Sequence, residues 1–132
     1  MSKEGLVGAT NTKEWLVTKE LLSSTVTPGT PAVFSTPNML LMVEQCCFEL
    51  MGKFADEDEA SCGADIHMKH SSPTPEGMKV FCEVKCIEEH KGLYNFEFEV
   101  RDEAGVIGSG THMRAYAPAA VLEKKAAKKF NK

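Results

Sequence analysis

The sequence predicts an α+β fold in which a five-stranded antiparallel sheet curls around one long central helix, with a short helix at the C-terminus. Three observations predict it. Apolar residues recur at helical spacing over one long stretch, Pro37 to about Phe54. Four later segments alternate apolar and polar residues, as half-buried strands do. The last three of these are joined by short turns, the pattern of an antiparallel meander.

Taken in order, the first 12 or so residues read as loosely ordered, as termini often are. Trp15-Leu16-Val17-Thr18 reads as a short first strand. Ser23 to Pro31 reads as a loop, because Pro28, Gly29 and Pro31 oppose regular structure. The long helix carries Met39, Leu40, Met42, Val43, Cys46, Cys47, Leu50, Met51 and Phe54. Either Ser35 or Thr36 can cap it, and Pro37 suits its first turn. Its apolar residues cover more than half the circumference, so a sheet should wrap it. Asp56 to Glu59 reads as a solvated acidic loop.

In the next strand, Cys62 to His70, strict alternation places Cys62, Ala64, Ile66, Met68 and His70 on one face. Gly63, Asp65, His67 and Lys69 fall on the other. After the turn Ser72 to Gly77, strands follow at Met78–Glu88, Tyr94–Arg101 and Val106–Tyr116. They turn at His90-Lys91-Gly92 and at Asp102 to Gly105. A basic amphipathic tail helix should run from Ala119 to about Lys129. The chain is read as a single domain, 1–132, with 1–12 and 118–132 at its periphery. One helix covers one face of such a sheet, and the free edges need protection. A homodimer that extends the sheet, or a dimer of dimers, answers that need.

Composition narrows the function. Of the 132 residues, 42% are hydrophobic and 26% charged, an ordinary globular balance. The net charge of -4 argues against a nucleic-acid partner. No stretch nears the ~20 apolar residues of a membrane span, and the first 15 residues lack the apolar run of a signal peptide, so a cytoplasmic location is expected. Five cysteines, an odd number, point to reduced thiols. Cys62, His67 and His70 lack zinc spacing, and alternation turns His67 away from the other two; no metal site is expected.

Three polar residues interrupt apolar patterns. His70 ends an apolar strand face, Glu44 lies within the apolar helix, and Thr36 stands at that helix's start. Each also has a structural reading: a boundary histidine, a solvated stripe shared with Glu49 and Lys53, and a helix cap. Residue physics alone leaves the two readings open.

Three stretches carry a resemblance. Val33 to Met39 with Met42-Val43-Glu44, then His70 to Gly77, then Val106 to Arg114, occur in the order found in hotdog-fold acyl-CoA thioesterases related to fluoroacetyl-CoA thioesterase, which the chain resembles from about Trp15 to Tyr116. The resemblance implies a hotdog fold and hydrolysis of a short acyl-CoA thioester. It implies Thr36, Glu44 and His70 as the catalytic set, and Gly63 and Arg114 as substrate-binding residues, with a Gly63 N–H meeting the thioester oxygen. Coenzyme A enters as part of the substrate, and no separate cofactor is implied. The loop Thr25 to Pro31 has no aromatic residue where the fluoroacetate-specific enzyme carries lid phenylalanines, so the acyl group does not follow. A non-catalytic acyl-CoA-binding hotdog and a hotdog hydratase are the rival classes.

Geometry adds a condition. On one straight helix, Thr36 and Glu44 would stand ~12 Å apart, eight residues at about 1.5 Å each. Either the loop before the helix folds back or a second subunit completes the site. If sites are shared, mixed Thr36→Ala and His70→Ala chains should regain partial activity.

Overall fold

The computed structural model describes residues 3–131. Strand β1 (Thr10–Leu16) precedes a single 3-10 turn and a four-residue helix, α1 (Ser23–Val26). The long helix α2 (Thr36–Gly52) follows, then β2 (Glu59–His70), β3 (Lys79–His90), β4 (Leu93–Asp102), β5 (Gly105–Pro118) and the tail helix α3 (Ala119–Ala127). The five strands form one antiparallel sheet in the order β1-β3-β4-β5-β2, so β1 and β2 are its edges.

Helix α2 lies against one face of this sheet. It buries Met39, Met42, Val43, Cys46, Cys47, Leu50 and Met51 against Val80, Val84, Phe96, Val100 and Ile107. Ser35 caps it, its Oγ accepting from the Asn38 amide at 3.2 Å. Pro37 falls in the first turn, where an N–H would have no helical partner. At the other end the Tyr116 hydroxyl donates to the Met51 carbonyl at 2.6 Å, satisfying one of the acceptors that a helix end leaves open.

Two glycines of β5 allow the close wrap. A Cβ on Gly108 would stand 2.5 Å from the Met39 sulfur. A Cβ on Gly110 would collide with the His67 backbone carbonyl of β2, which cannot swing away as a side chain can. Gly110→Ala is therefore expected to destabilise the fold by about 3 kcal/mol, the upper end of ordinary overpacking costs. Gly52, at the end of α2, has open space around it, and Gly52→Ala should change stability by under ~1 kcal/mol, toward greater stability. Urea denaturation of both variants checks the contrast.

Two tight turns join β3 to β4 and β4 to β5. Lys91 and Gly92, with φ of 52° and 84°, form a two-residue hairpin loop of the kind whose twist matches its strands. At the β4–β5 turn, Asp102 accepts from the Ala104 and Gly105 amides through Oδ1 and from the buried Thr74 hydroxyl through Oδ2, at 2.8, 3.1 and 2.8 Å. The Thr74 carbonyl accepts from the Phe34 amide at 2.8 Å. This one residue thus ties the segment after His70 to the segment before Thr36.

Four expectations need correction. The first strand is Thr10–Leu16, earlier than Trp15–Thr18. Residues 3–12 are not loose: Leu6 is 0% exposed, Gly8 donates to Cys86, and Cys86 donates to Ala9. The stretch Ser23 to Pro31 begins with the short helix α1, which ends before the prolines take effect. Glu59 belongs to β2 rather than to a loop, and pairs with Lys3. Among the described residues, no helix is long and apolar enough to cross a membrane.

Candidate active site

Because Ser35 takes the cap, the Thr36 hydroxyl is released for other work. Thr36 Oγ1 and His70 Nδ1 stand 2.7 Å apart. The two residues come from the start of α2 and the end of β2, and the Thr74 clamp holds both approaches. An open depression of about 280 Å³, lined by Val33, Thr36, His70, Ser71, Ser72 and Pro73, surrounds the pair. Burial holds the His70 imidazole below the usual histidine range, partly opposed by the nearby Ser72 backbone. Nevertheless, among the described residues no partner within hydrogen-bond geometry reaches its buried Nε2.

Glu44 lies two turns further along α2, in a second cluster. Its Oε2 is 3.6 Å from Arg114 Nη1, the Glu44 side chain being 39% exposed and that of Arg114 6%. Arg114 spends its donors inward: Nε to Ser61 Oγ at 3.0 Å, Nη2 to the Ser61 carbonyl at 2.8 Å, and Nη1 to His112 Nε2 at 3.1 Å. The Phe48 ring covers the guanidinium with 5.9 Å from its centre to Cζ.

Gly63 belongs to this cluster, against the strict alternation read from the sequence. The β2–β5 register shifts between Gly63 and Asp65, so Ala64 is an extra residue. The bulge turns Gly63 toward α2, while Ile66, Met68 and His70 keep that side beyond it and Cys62 is left exposed on the other. A Cβ on Gly63 would lie 2.8 Å from Glu44 Oε2, so the missing side chain is what admits the carboxylate.

Thr36 and His70 are thus brought together, and so are Glu44, Gly63 and Arg114, with no hydrogen bond or ion pair joining the two groups among the described residues. Ser61 is the residue of this cluster that the sequence does not single out, whereas alternation already puts His112 on the strand face of Arg114, outside the expected catalytic set. Arg114 was the available signal for Ser61, since a buried guanidinium needs several acceptors. Burial raises the Cys47 thiol and pushes Cys86 up to about 11, so neither is a ready thiolate near neutrality.

Comparison with known proteins settles the family. Residues 17–120 match the FlK family, described as fluoroacetyl-CoA-specific thioesterase. The chain belongs to this family. The fluoroacetyl-CoA thioesterase of Streptantibioticus cattleyicolor is 32% identical over 87 residues, a match spanning 64% of this chain and 61% of that protein. A solved structure of the fluoroacetyl-CoA thioesterase FlK superposes with a TM-score of 0.88 at 26% identity, over 93% of this chain and 96% of that one. A hot-dog-like protein from Thermanaerovibrio acidaminovorans, 19% identical, shares the fold with a TM-score of 0.89 over 98% of each chain. The expected hotdog fold is therefore the observed one.

Proposed function

We propose that this FlK-family chain hydrolyses a short acyl-CoA thioester to the free acid and coenzyme A, with Thr36, Glu44 and His70 as its catalytic set. The observation that carries this reading is the 2.7 Å pairing of the Thr36 hydroxyl with His70 Nδ1, a nucleophile beside a base. Thr36 attacks the thioester carbonyl and His70 takes its proton. The C–S bond breaks, and His70 returns the proton to the leaving sulfur. Glu44 then takes a proton from water, whose oxygen attacks the threonyl ester; the ester C–O bond breaks, the acid leaves, and that proton returns to the Thr36 oxygen. The Gly63 N–H receives the oxyanion, and Arg114 acts on the substrate through Glu44.

Two features support a site completed by a second copy. Among the described residues, the outer edge of β2 has no strand partner in the sheet. Glu44, about 12 Å along α2 from Thr36, is partly exposed and so open to a second copy. The homodimer brings the Glu44 of one copy to the Thr36–His70 pair of the other. Since Thr36 and His70 share one chain, mixing Thr36→Ala with His70→Ala should give no rescue. Mixing Thr36→Ala with Glu44→Ala should restore about a quarter of wild-type turnover, half the dimers being mixed and one of their two sites intact. Equal behaviour of the two mixtures would count against sharing.

The direct test is turnover of acetyl-, propionyl- and other short acyl-CoAs followed by thiol release. Ligand binding without turnover would favour a binding module instead. The acid limb of kcat/KM carries a further expectation. Burial lowers the His70 pKa, so the neutral base survives further into acid than a free histidine, whose midpoint is about 6.5. The limb should fall below that value, and one above 7 would contradict the role.

A further inference from the structure

His112 has a defined part in the Glu44–Arg114 cluster. It is 2% exposed and lies on β5, two residues before Arg114 on the side facing α2. Its Nδ1 stands 2.8 Å from the Asp65 carbonyl, and its Nε2 stands 3.1 Å from Arg114 Nη1. A carbonyl oxygen can only accept, so Nδ1 carries the proton. A guanidinium nitrogen can only donate, so Nε2 presents its lone pair. Both neighbours therefore demand the same neutral tautomer, and a doubly protonated ring would set N–H against N–H.

We propose that His112 is a positioning residue: the Asp65 carbonyl fixes its tautomer, and its Nε2 lone pair fixes the Arg114 guanidinium that faces Glu44. The kinetic consequence rests on the thioesterase reading, while the geometric one does not. The packing around Gly63 shows the fit. A Cβ there would meet Glu44 Oε2 at 2.8 Å, His112 Cε1 at 3.2 Å and Arg114 Nη1 at 3.6 Å, so all three groups close on one glycine. Asp65, the acceptor, follows the extra residue Ala64 directly, and the same bulge places Gly63 and aims the ring. Arg114 is held by Ser61 on its other two nitrogens, which leaves Nη1 as the nitrogen shared by His112 and Glu44. Burial first, and then the Arg114 charge, disfavour the imidazolium; the Asp65 carbonyl and the Glu44 carboxylate oppose them without reversing the direction.

The ring nitrogens of ¹⁵N-labelled protein at pH 7 provide the first test, with the His112 signal identified by its absence from His112→Gln. A proton on Nδ1 and a bare Nε2 are expected; a proton on Nε2, or on both nitrogens, overturns the proposal. The second test compares two amides. Glutamine places an acceptor oxygen near the position of Nε2, whereas asparagine keeps only the N–H near Nδ1. The Arg114 Nε–H signal should stay sharp in His112→Gln and broaden in His112→Asn. On an acyl-CoA substrate, kcat should stay within ~3-fold of wild type for Gln and fall ~30-fold for Asn, with KM within ~2-fold in both. Equal losses, or a loss confined to KM, overturn the positioning role. If the wild-type protein turns over no acyl-CoA, the functional reading fails, and the tautomer and the Arg114 signal still decide this proposal.

Discussion

His70→Ala is expected to lower kcat/KM for a short acyl-CoA at least ~100-fold, the low end for loss of a positioned acid–base residue. The imidazole takes the proton from Thr36 and passes it to the leaving sulfur, so its removal burdens both halves of the exchange. Stability should scarcely move. His70 gives the fold one side-chain hydrogen bond, to an exposed threonine, while its buried Nε2 has no partner. Removing the ring therefore costs the fold little. Loss of turnover with a scarcely changed melting temperature is thus the expected signature. Full activity in this variant would remove His70 from the mechanism.

Arg114→Ala should show the opposite balance, losing stability together with activity. The guanidinium holds Ser61 twice and His112 once, and it faces Glu44. Its removal leaves the Ser61 carbonyl and His112 Nε2 without their donor in a buried place. Hydrogen bonds to a charged group contribute roughly 1.5–3 kcal/mol each, and breaking a buried charged cluster from one side costs about 3–5 kcal/mol. A loss of at least ~3 kcal/mol in urea denaturation is expected, with Glu44 partly exposed and its share screened. Arg114→Lys should recover part of it, keeping the charge but losing the fork to Ser61. A loss below ~1 kcal/mol for alanine would mean that the network relaxes at little cost.

Periodicity located α2 and four of the strands because their inward positions are apolar: Met39 through Met51 on the helix, Val80 through Cys86 on β3, Tyr94 through Val100 on β4. It misplaced β1 for a physical reason. That edge strand meets α2 through polar groups, Asn11 donating to the Cys46 carbonyl at 3.0 Å and Lys13 pairing with Glu49 at 2.6 Å, so no apolar alternation marks its first half. It also put Gly63 on the wrong face, since an inserted residue such as Ala64 reverses every side chain before it and leaves the letters unchanged. The choice between Ser35 and Thr36 as cap was equally invisible, both being good caps; only the fold puts His70 beside the second. The residues of the candidate site were legible through the family resemblance, whereas their division into two clusters needed the coordinates.

The Thr74–Asp102 bond has a consequence for where this chain tolerates added sequence. Surface turns are ordinarily the places to splice in tags or foreign loops. The Lys91–Gly92 hairpin fits that habit, as its contacts are local to its own strands. The Glu103–Ala104 turn does not. Asp102 serves that turn with one oxygen and Thr74 with the other, and Thr74 in turn receives Phe34, two residues before Thr36. An insertion there would loosen a seam running under both Thr36 and His70, making a turn remote in sequence from either residue a poor graft point.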